Sequence, residues 1–169
     1  MNINVDAMRY DRKDINEIVD IYCCVIKKED TEQDNFDKLY KLSHSFAYSV
    51  FGLDMFDRYF YLDHIIVKEE WRNKGIGTMV LNDIKRLAKE MCLPVFLLVG
   101  CTTKEEYDRY MDGDVDILKN KEKFYLKNGF SNVNIGVLKQ SSYIAMCWCP
   151  PTCSVSVNKI VDKLMGWTM

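Results

Sequence analysis

No stretch of this 169-residue chain is apolar for anything near 18 consecutive residues, so no membrane-spanning helix is expected. The first residues, Met1-Asn2-Ile3-Asn4-Val5-Asp6, lack the basic segment and apolar core of a secretory signal, and none is expected. An excess of positive charge is also missing. The formal net charge is -2, which argues against non-specific nucleic-acid binding as the main activity while leaving room for a local basic patch. Internal repeats and low-complexity segments are absent. Cysteine is plentiful but unpatterned: Cys23, Cys24, Cys92, Cys101, Cys147, Cys149 and Cys153 are odd in number, and several lie inside apolar runs. No disulfide framework is readable, and the expectation is reduced thiols in a cytoplasmic protein. Cys147-x-Cys149-x3-Cys153 lacks paired C-x2-C knuckles, so it reads as core or reactive thiols and no metal site is expected.

What is present fits one soluble α/β domain over residues 1–169, with 48% hydrophobic and 28% charged residues. Residues 3–10 alternate weakly and suggest a first strand. Asp14 opens a helix on which Ile15, Ile18, Val19, Tyr22 and Ile26 recur at helical spacing, ending in the charged stretch from Lys27 to Glu32. A weaker helix is expected over 34–42, a strand over 43–53 and a turn over 52–57. Residues 58–67 form the clearest strand, apolar on both faces and therefore central. Its odd positions, Tyr59, Tyr61, Asp63, Ile65 and Val67, are expected on one face, and Phe60, Leu62, His64 and Ile66 on the other.

A basic Gly-bearing loop follows, then an amphipathic helix to Met91 with Ile76, Met79, Val80, Ile84, Leu87, Ala88 and Met91 as its stripe. Residues 95–99 complete a βαβ unit whose two strands should be parallel neighbours. Residues 102–116 read as a polar surface loop with a helical turn at 104–109. A helix over 117–127 closes on Asn128-Gly129. Strands are expected over 130–137 and 142–148, and a terminal helix over 158–165.

The loop carries the chemistry. Trp71-Arg72-Asn73-Lys74-Gly75-Ile76-Gly77-Thr78 joins a strand to a helix start, where free backbone N–H groups and the helix dipole favour an anion. It lacks the G-x4-G-K-[ST] of a Walker loop and the third glycine of a dinucleotide fingerprint. Arg-x-x-Gly-x-Gly in this setting resembles the pyrophosphate loop of the GCN5-related N-acetyltransferase (GNAT) superfamily. Downstream, Lys123-Phe124-Tyr125-Leu126-Lys127-Asn128-Gly129-Phe130 resembles that family's later helix, which ends in Phe-Tyr-x-x-x-Gly-Phe. The ordered pair spans about residues 59–148 and is far more specific than either part, since a lone Gly-x-Gly is usually a turn and Phe-Tyr usually core.

The resemblance implies the GNAT fold: a mixed, mostly antiparallel sheet with a parallel βαβ core and helices on both faces. It implies acetyl-CoA as donor, with Arg72, Asn73, Lys74, Gly75, Ile76, Gly77 and Thr78 around the pyrophosphate and the pantetheine arm along Ile65, Ile66 and Val67. Tyr125 matches the tyrosine that commonly protonates the departing thiolate; its alternative is aromatic packing. Asp63 and Tyr61 fall where the family's base or water chain sits, with Asp63 equally readable as a structural hydrogen-bonding group. His64 is expected to pack toward a helix unless a bulge intervenes. Where the family often has an asparagine, Leu118 stands, and Asn120 is the nearest substitute. Phe46, Tyr48, Phe51, Phe56, Tyr59 and Tyr61 line the acceptor pocket or pack the core.

The expected activity is direct transfer of acetyl to a primary amine of a small molecule or peptide. A toxin-like member acting on aminoacyl-tRNA and a non-catalytic CoA-binding or interaction protein are the alternatives. Membrane and nucleic-acid partners are not expected, and a homodimer is compatible with the sequence.

Overall fold

Two βα units laid side by side generate the layer that holds the site. The computed structural model describes residues 17–27, 56–135 and 142–166. Its strands are β1 (Val19–Lys27), β2 (Arg58–Val67), β3 (Val95–Val99), β4 (Ser131–Asn132) and β5 (Ile144–Trp148). Its helices are α1 (Ile76–Glu90), α2 (Lys104–Met111), α3 (Asp116–Lys127) and α4 (Val157–Gly166). The sheet order is β1-β2-β3-β5-β4. Only β2 and β3 pair in parallel within it, and β1–β2, β3–β5 and β4–β5 are antiparallel. β2 is interior, as its two apolar faces required.

The first helix of the sequence reading is corrected over its described part. Residues 19–27 are a strand, not a helix. Val19, Ile21, Cys23 and Val25 bury against Phe60 and Leu62, while Cys24 and Ile26 bury on the other face with Tyr59 and Tyr61. The helical stripe was a subset of a run in which almost every position is apolar, with β-branched Val19, Ile21, Val25 and Ile26 among them. Such a run fits a strand covered on both faces and leaves no polar side for a helix to turn outward. The expected elements at 3–10, 34–42 and 43–53 lie outside the described residues.

The two core layers sit on either side of the sheet. On one, α1 buries Val80, Leu81, Ile84, Leu87 and Ala88 against β1, β2 and β3, with Phe124 and Tyr125 of α3 packed at the edge. On the other, Ile160 and Leu164 of α4 close over Tyr59, Phe96, Ala145 and Cys147. Tyr59 is fully buried and meets Phe96 edge-on at 5.2 Å, so it belongs to this core.

Residues 102–116 hold more structure than the expected loop. α2 runs two full turns, with Thr103 accepting the Glu106 backbone N–H at 3.2 Å as its N-cap. Gly129, at φ +87°, takes the left-handed position after α3. β4 is shorter than expected, and 136–141 lie outside the described residues. Among the described residues no helix is long and apolar enough to cross a membrane, and no group of three or more His, Cys, Asp or Glu residues gathers to hold a metal ion.

Candidate active site

The site begins at one extra residue. Along the β1–β2 ladder Tyr22 pairs with His64, and the next residue, Cys23, pairs with Leu62, so Asp63 has no opposite number. Such a bulge resets the side-chain alternation. Phe60 and Leu62 therefore share their core layer with Ile65 and Val67, not with His64 and Ile66. This corrects the expected faces: the odd-numbered set from Tyr59 to Val67 does not stay on one side, and His64 is not packed under a helix. His64 stands beside Asp63, its Nδ1 2.7 Å from Asp63 Oδ2.

On the other side of the imidazole, Nε2 lies 3.3 Å from Asp20 Oδ2 but off the line of a hydrogen bond, and that nitrogen is buried. Tyr22 stacks on the ring with centroids 6.4 Å apart. The hydrogen bond to Asp63 raises the imidazole pKa above its ordinary value; burial opposes this, and the charges of Asp63 and Asp20 add to the rise.

The parallel ladder stops at the same level. β2 and β3 pair through Phe60–Val95, Tyr61–Phe96 and Leu62–Leu97, although β2 continues to Val67 and β3 to Val99. Beyond Leu62 the strands part, leaving one edge of β2 unpaired toward β3 among the described residues. A cavity of about 810 Å³ opens there.

Its far wall is the loop read from the sequence. Arg72 Nε donates to the Val67 carbonyl at 3.0 Å and ties the loop to the end of β2. Asn73 and Gly75 take positive φ of 59° and 79°. No side chain caps α1 and its first turn carries no acid. The first N–H groups of a helix have no intrahelical acceptor, so Ile76, Gly77 and Thr78 present them, with the positive end of the dipole, at a wall of the cavity.

The two glycines differ in purpose. A Cβ at Gly75 would meet nothing within 4 Å, so Gly75 serves the left-handed backbone. A Cβ at Gly77 would lie 3.0 Å from Phe124 Cζ, so Gly77 admits the α3 ring against the start of α1. Lys74 does not line the cavity; its ammonium sits 4.8 Å over the Trp71 ring.

α3 supplies the third wall. Tyr125 and Asn120 both line the cavity. Tyr125 meets Phe124 at 5.1 Å and Phe130 at 5.7 Å, edge-on, and burial raises its hydroxyl pKa to about 12. Lys121 Nζ donates to the Gly100 carbonyl at 3.0 Å, to Thr102 Oγ1 at 3.1 Å and to Glu106 Oε2 at 2.6 Å. Burial pushes the Glu106 carboxyl up, but the hydrogen bonds from Lys121 and Thr102 outweigh it and hold the pKa below the ordinary value. This cluster pins α2 and α3 to the end of β3.

A smaller cavity of about 230 Å³ adjoins the first, sharing Asp63, His64, Leu98, Gly100 and Thr102 with it. Tyr61, Ile66, Cys101 and Tyr143 belong to this side alone. Burial, then the neighbouring Asp63 and Cys24, raise the Tyr61 hydroxyl well above the usual tyrosine range, so it stays protonated.

The sequence-derived residues thus separate by place. Asp63, Ile65, Val67, Arg72, Asn73, Gly75, Ile76, Gly77, Thr78, Asn120 and Tyr125 surround the larger cavity. Tyr61 and Ile66 face the smaller one, and Lys74 neither. Lys121, Cys101 and Tyr143 were not anticipated, and His64 was expected under a helix unless a bulge intervened, as one does. For His64 a signal existed: two adjacent polar residues interrupting an apolar strand. Phe46, Tyr48 and Phe51 lie outside the described residues, and Phe56 packs on Phe96 at 6.5 Å.

Residues 20–132 match a family model described as an acetyltransferase (GNAT) domain. No curated protein and no solved structure matches the chain.

Proposed function

The chain belongs to the acetyltransferase (GNAT) domain family, and we propose that it moves the acetyl group of acetyl-CoA to a primary amine of a small molecule or peptide by direct attack on the thioester. One observation carries this reading. The parting of β2 and β3 makes a continuous opening whose walls hold an uncapped helix N-terminus, the Asp63–His64 pair and the Tyr125 hydroxyl. Binding, proton removal and proton donation thus have groups within one cavity.

The residues fit acetyl-CoA by chemistry. The α1 N–H groups suit a pyrophosphate, with Arg72 and Lys127 adding charge to the same cavity. The unpaired edge of β2 from Ile65 to Val67 offers backbone groups to an extended amide-bearing arm, as an added strand would use them. Bound acetyl-CoA would supply an activated acyl group whose carbonyl needs only an amine and a hydrogen-bond donor. A free N–H on the parted edge of β2 can stabilise the oxyanion as the amine adds.

Asp63 accepts the proton that the attacking amine must lose. His64 holds the Asp63 carboxylate through the 2.7 Å bond and is a positioning residue, because its other nitrogen is buried. Tyr125 keeps its hydrogen at any working pH, since burial pushes its pKa to about 12, and donates it toward the departing sulfur. The seven free cysteines fit a reducing, cytoplasmic setting.

The test joins binding to turnover. Acetyl-CoA is expected to raise the unfolding midpoint, since a ligand of the native state stabilises it. A thiol-release assay over an amine panel should then show Tyr125→Phe losing roughly 10²-fold in kcat at little cost in acetyl-CoA affinity. No thermal stabilisation would remove the donor assignment, equal rates in both proteins would remove Tyr125 from the chemistry, and acetyl-CoA binding with no thiol release for any amine would favour a non-catalytic CoA-binding protein.

A further inference from the structure

The smaller cavity has a chemical character of its own, distinct from that of the loop side. Among the described residues neither lysine nor arginine lines it. Its one carboxylate is Asp63, and three rings, Tyr61, His64 and Tyr143, surround it. Behind His64 stands Asp20, whose side chain is 75% exposed. The trio of Asp63, His64 and Asp20 is net negative in either protonation state of the imidazole. The larger cavity, by contrast, has Arg72 and Lys127 in its wall, and the charge of Lys121 there is answered by Glu106. Charge is therefore segregated along one opening, cationic toward the helix N-terminus and anionic-aromatic at the other end.

Tyr143 is held in that wall by a specific device. A Cβ at Gly100 would lie 2.6 Å from both Cδ1 and Cε1 of Tyr143, closer than any real contact. The Cδ1–Cε1 edge of the ring takes the space that a side chain at residue 100 would fill, at the end of β3. The same Gly100 carbonyl takes the Lys121 ammonium, so the wall is anchored from the donor side as well.

We infer that the smaller cavity is the acceptor pocket and that it selects a small primary amine arriving as an organic cation with no phosphate or carboxylate near the nitrogen, with Tyr143, seated by Gly100, as a specificity-determining wall. The inference rests on the acetyltransferase reading. Its physical basis is the attraction of an ammonium to aromatic rings and to a nearby carboxylate, together with the absence, among the described residues, of a lysine or arginine in the lining to pair an anionic substituent, the His64 ring there being already bonded to Asp63. The volume, about 230 Å³, falls below the roughly 300–1,000 Å³ that holds drug-sized ligands, so the acceptor is a compact molecule or a single side chain. Aminoacyl-tRNA, with phosphate close to its reactive end, fits this pocket poorly.

The test compares amines of similar length at saturating acetyl-CoA: butylamine, diaminobutane and a lysine side chain in a capped peptide against γ-aminobutyrate and aminopropyl phosphate. The cationic amines are expected to exceed the anionic ones by roughly tenfold or more in kcat/KM. Diaminobutane against the lysine peptide separates a free metabolite from a protein side chain as the source of the same ammonium. Tyr143→Ala, at a residue that lines the smaller cavity alone, is expected to raise the amine KM severalfold while acetyl-CoA affinity, read by calorimetry, stays put. Tyr143→Phe, which keeps the ring, should restore the lower KM. Anionic amines that match or beat the cationic ones overturn the inference, as does an amine KM untouched by Tyr143→Ala. Either result, obtained while acetyl-CoA still binds and turns over, leaves the acetyltransferase reading standing; absence of acetyl-CoA binding removes both.

Discussion

Gly77→Ala asks whether the second glycine of the loop serves the ligand or the fold. Gly77 lies in the first turn of α1, where alanine is favoured over glycine by up to about 1 kcal/mol. Against that gain, the new methyl meets Phe124 Cζ at 3.0 Å, so the ring must retreat a few tenths of an ångström from a packed position. Overpacking of this kind costs about 1–3 kcal/mol. The single variant is therefore expected to range from neutral to about 2 kcal/mol less stable. Phe124→Leu removes the atoms at the ring tip. In that background the cost disappears and Gly77→Ala should stabilise by about 0.5–1 kcal/mol, giving a coupling of about 1–3 kcal/mol between the two sites. Urea unfolding of the four proteins reads this directly, as midpoint shifts at a constant slope. Stabilisation by Gly77→Ala in both backgrounds would refute the packing account. If acetyl-CoA affinity also fell in both, the glycine would be serving close approach of a phosphate, the role the sequence reading gave it.

Two further outcomes follow from the charge and thiol chemistry. His64 is one of two histidines in the chain, and its pKa is raised chiefly by the bond to Asp63. A folded value above the unfolded one means that this contribution to stability is fully present below about pH 6.5 and is lost as pH rises through the folded value. Asp63→Asn should then lower the His64 titration seen by NMR and cost more stability near pH 5.5 than near pH 9; an equal loss at about both pH values would show that the imidazole does not feel Asp63. Among the cysteines, exposed Cys92 and half-buried Cys149, whose pKa the Cys147 hydrogen bond lowers, should react with a thiol reagent in the native protein. Cys23 and Cys147, buried and pushed up in pKa, should react only on unfolding, as peptide mapping of labelled protein would show.

The parts of the fold legible in the sequence are those where one period excludes the other. Residues 76–90 carry polar Asn82, Asp83, Lys85, Arg86 and Lys89 between their apolar positions, so only a helix sorts them. Residues 95–99 are too short and too uniformly apolar for a surface helix, and the Pro94 before them marks the start. Residues 19–27 offer no such contrast. Apolar at seven of nine positions, they satisfy a helical stripe and both faces of a strand alike, and what decides is the neighbouring β2, whose open edge needs a partner. The capping pattern Thr103-x-x-Glu106 was in plain view and marks α2, but its helix buries no residue, so apolar periodicity is silent there.

The candidate site divides the same way. Its proposed donor half is written in contiguous residues, because an anion cradle at a helix start is a local structure: Arg72 to Thr78 fold together and need one loop and one helix turn. The proposed acceptor half is assembled from Asp63 and His64 on β2, Gly100 and Cys101 after β3, and Tyr143 before β5, which meet only once the sheet has formed. A single uncompensated residue in the ladder governs that meeting. Without the bulge at Asp63, strict alternation would set Asp63 and His64 on opposite faces; with it, the two share the cleft and the imidazole can hold the carboxylate. Asp-His inside an apolar strand is the trace this leaves in the sequence. Two polar groups in succession cannot both be buried in a regular strand without one of them losing its partner, and the chain resolves this by spending one residue on the bulge and pairing the two with each other.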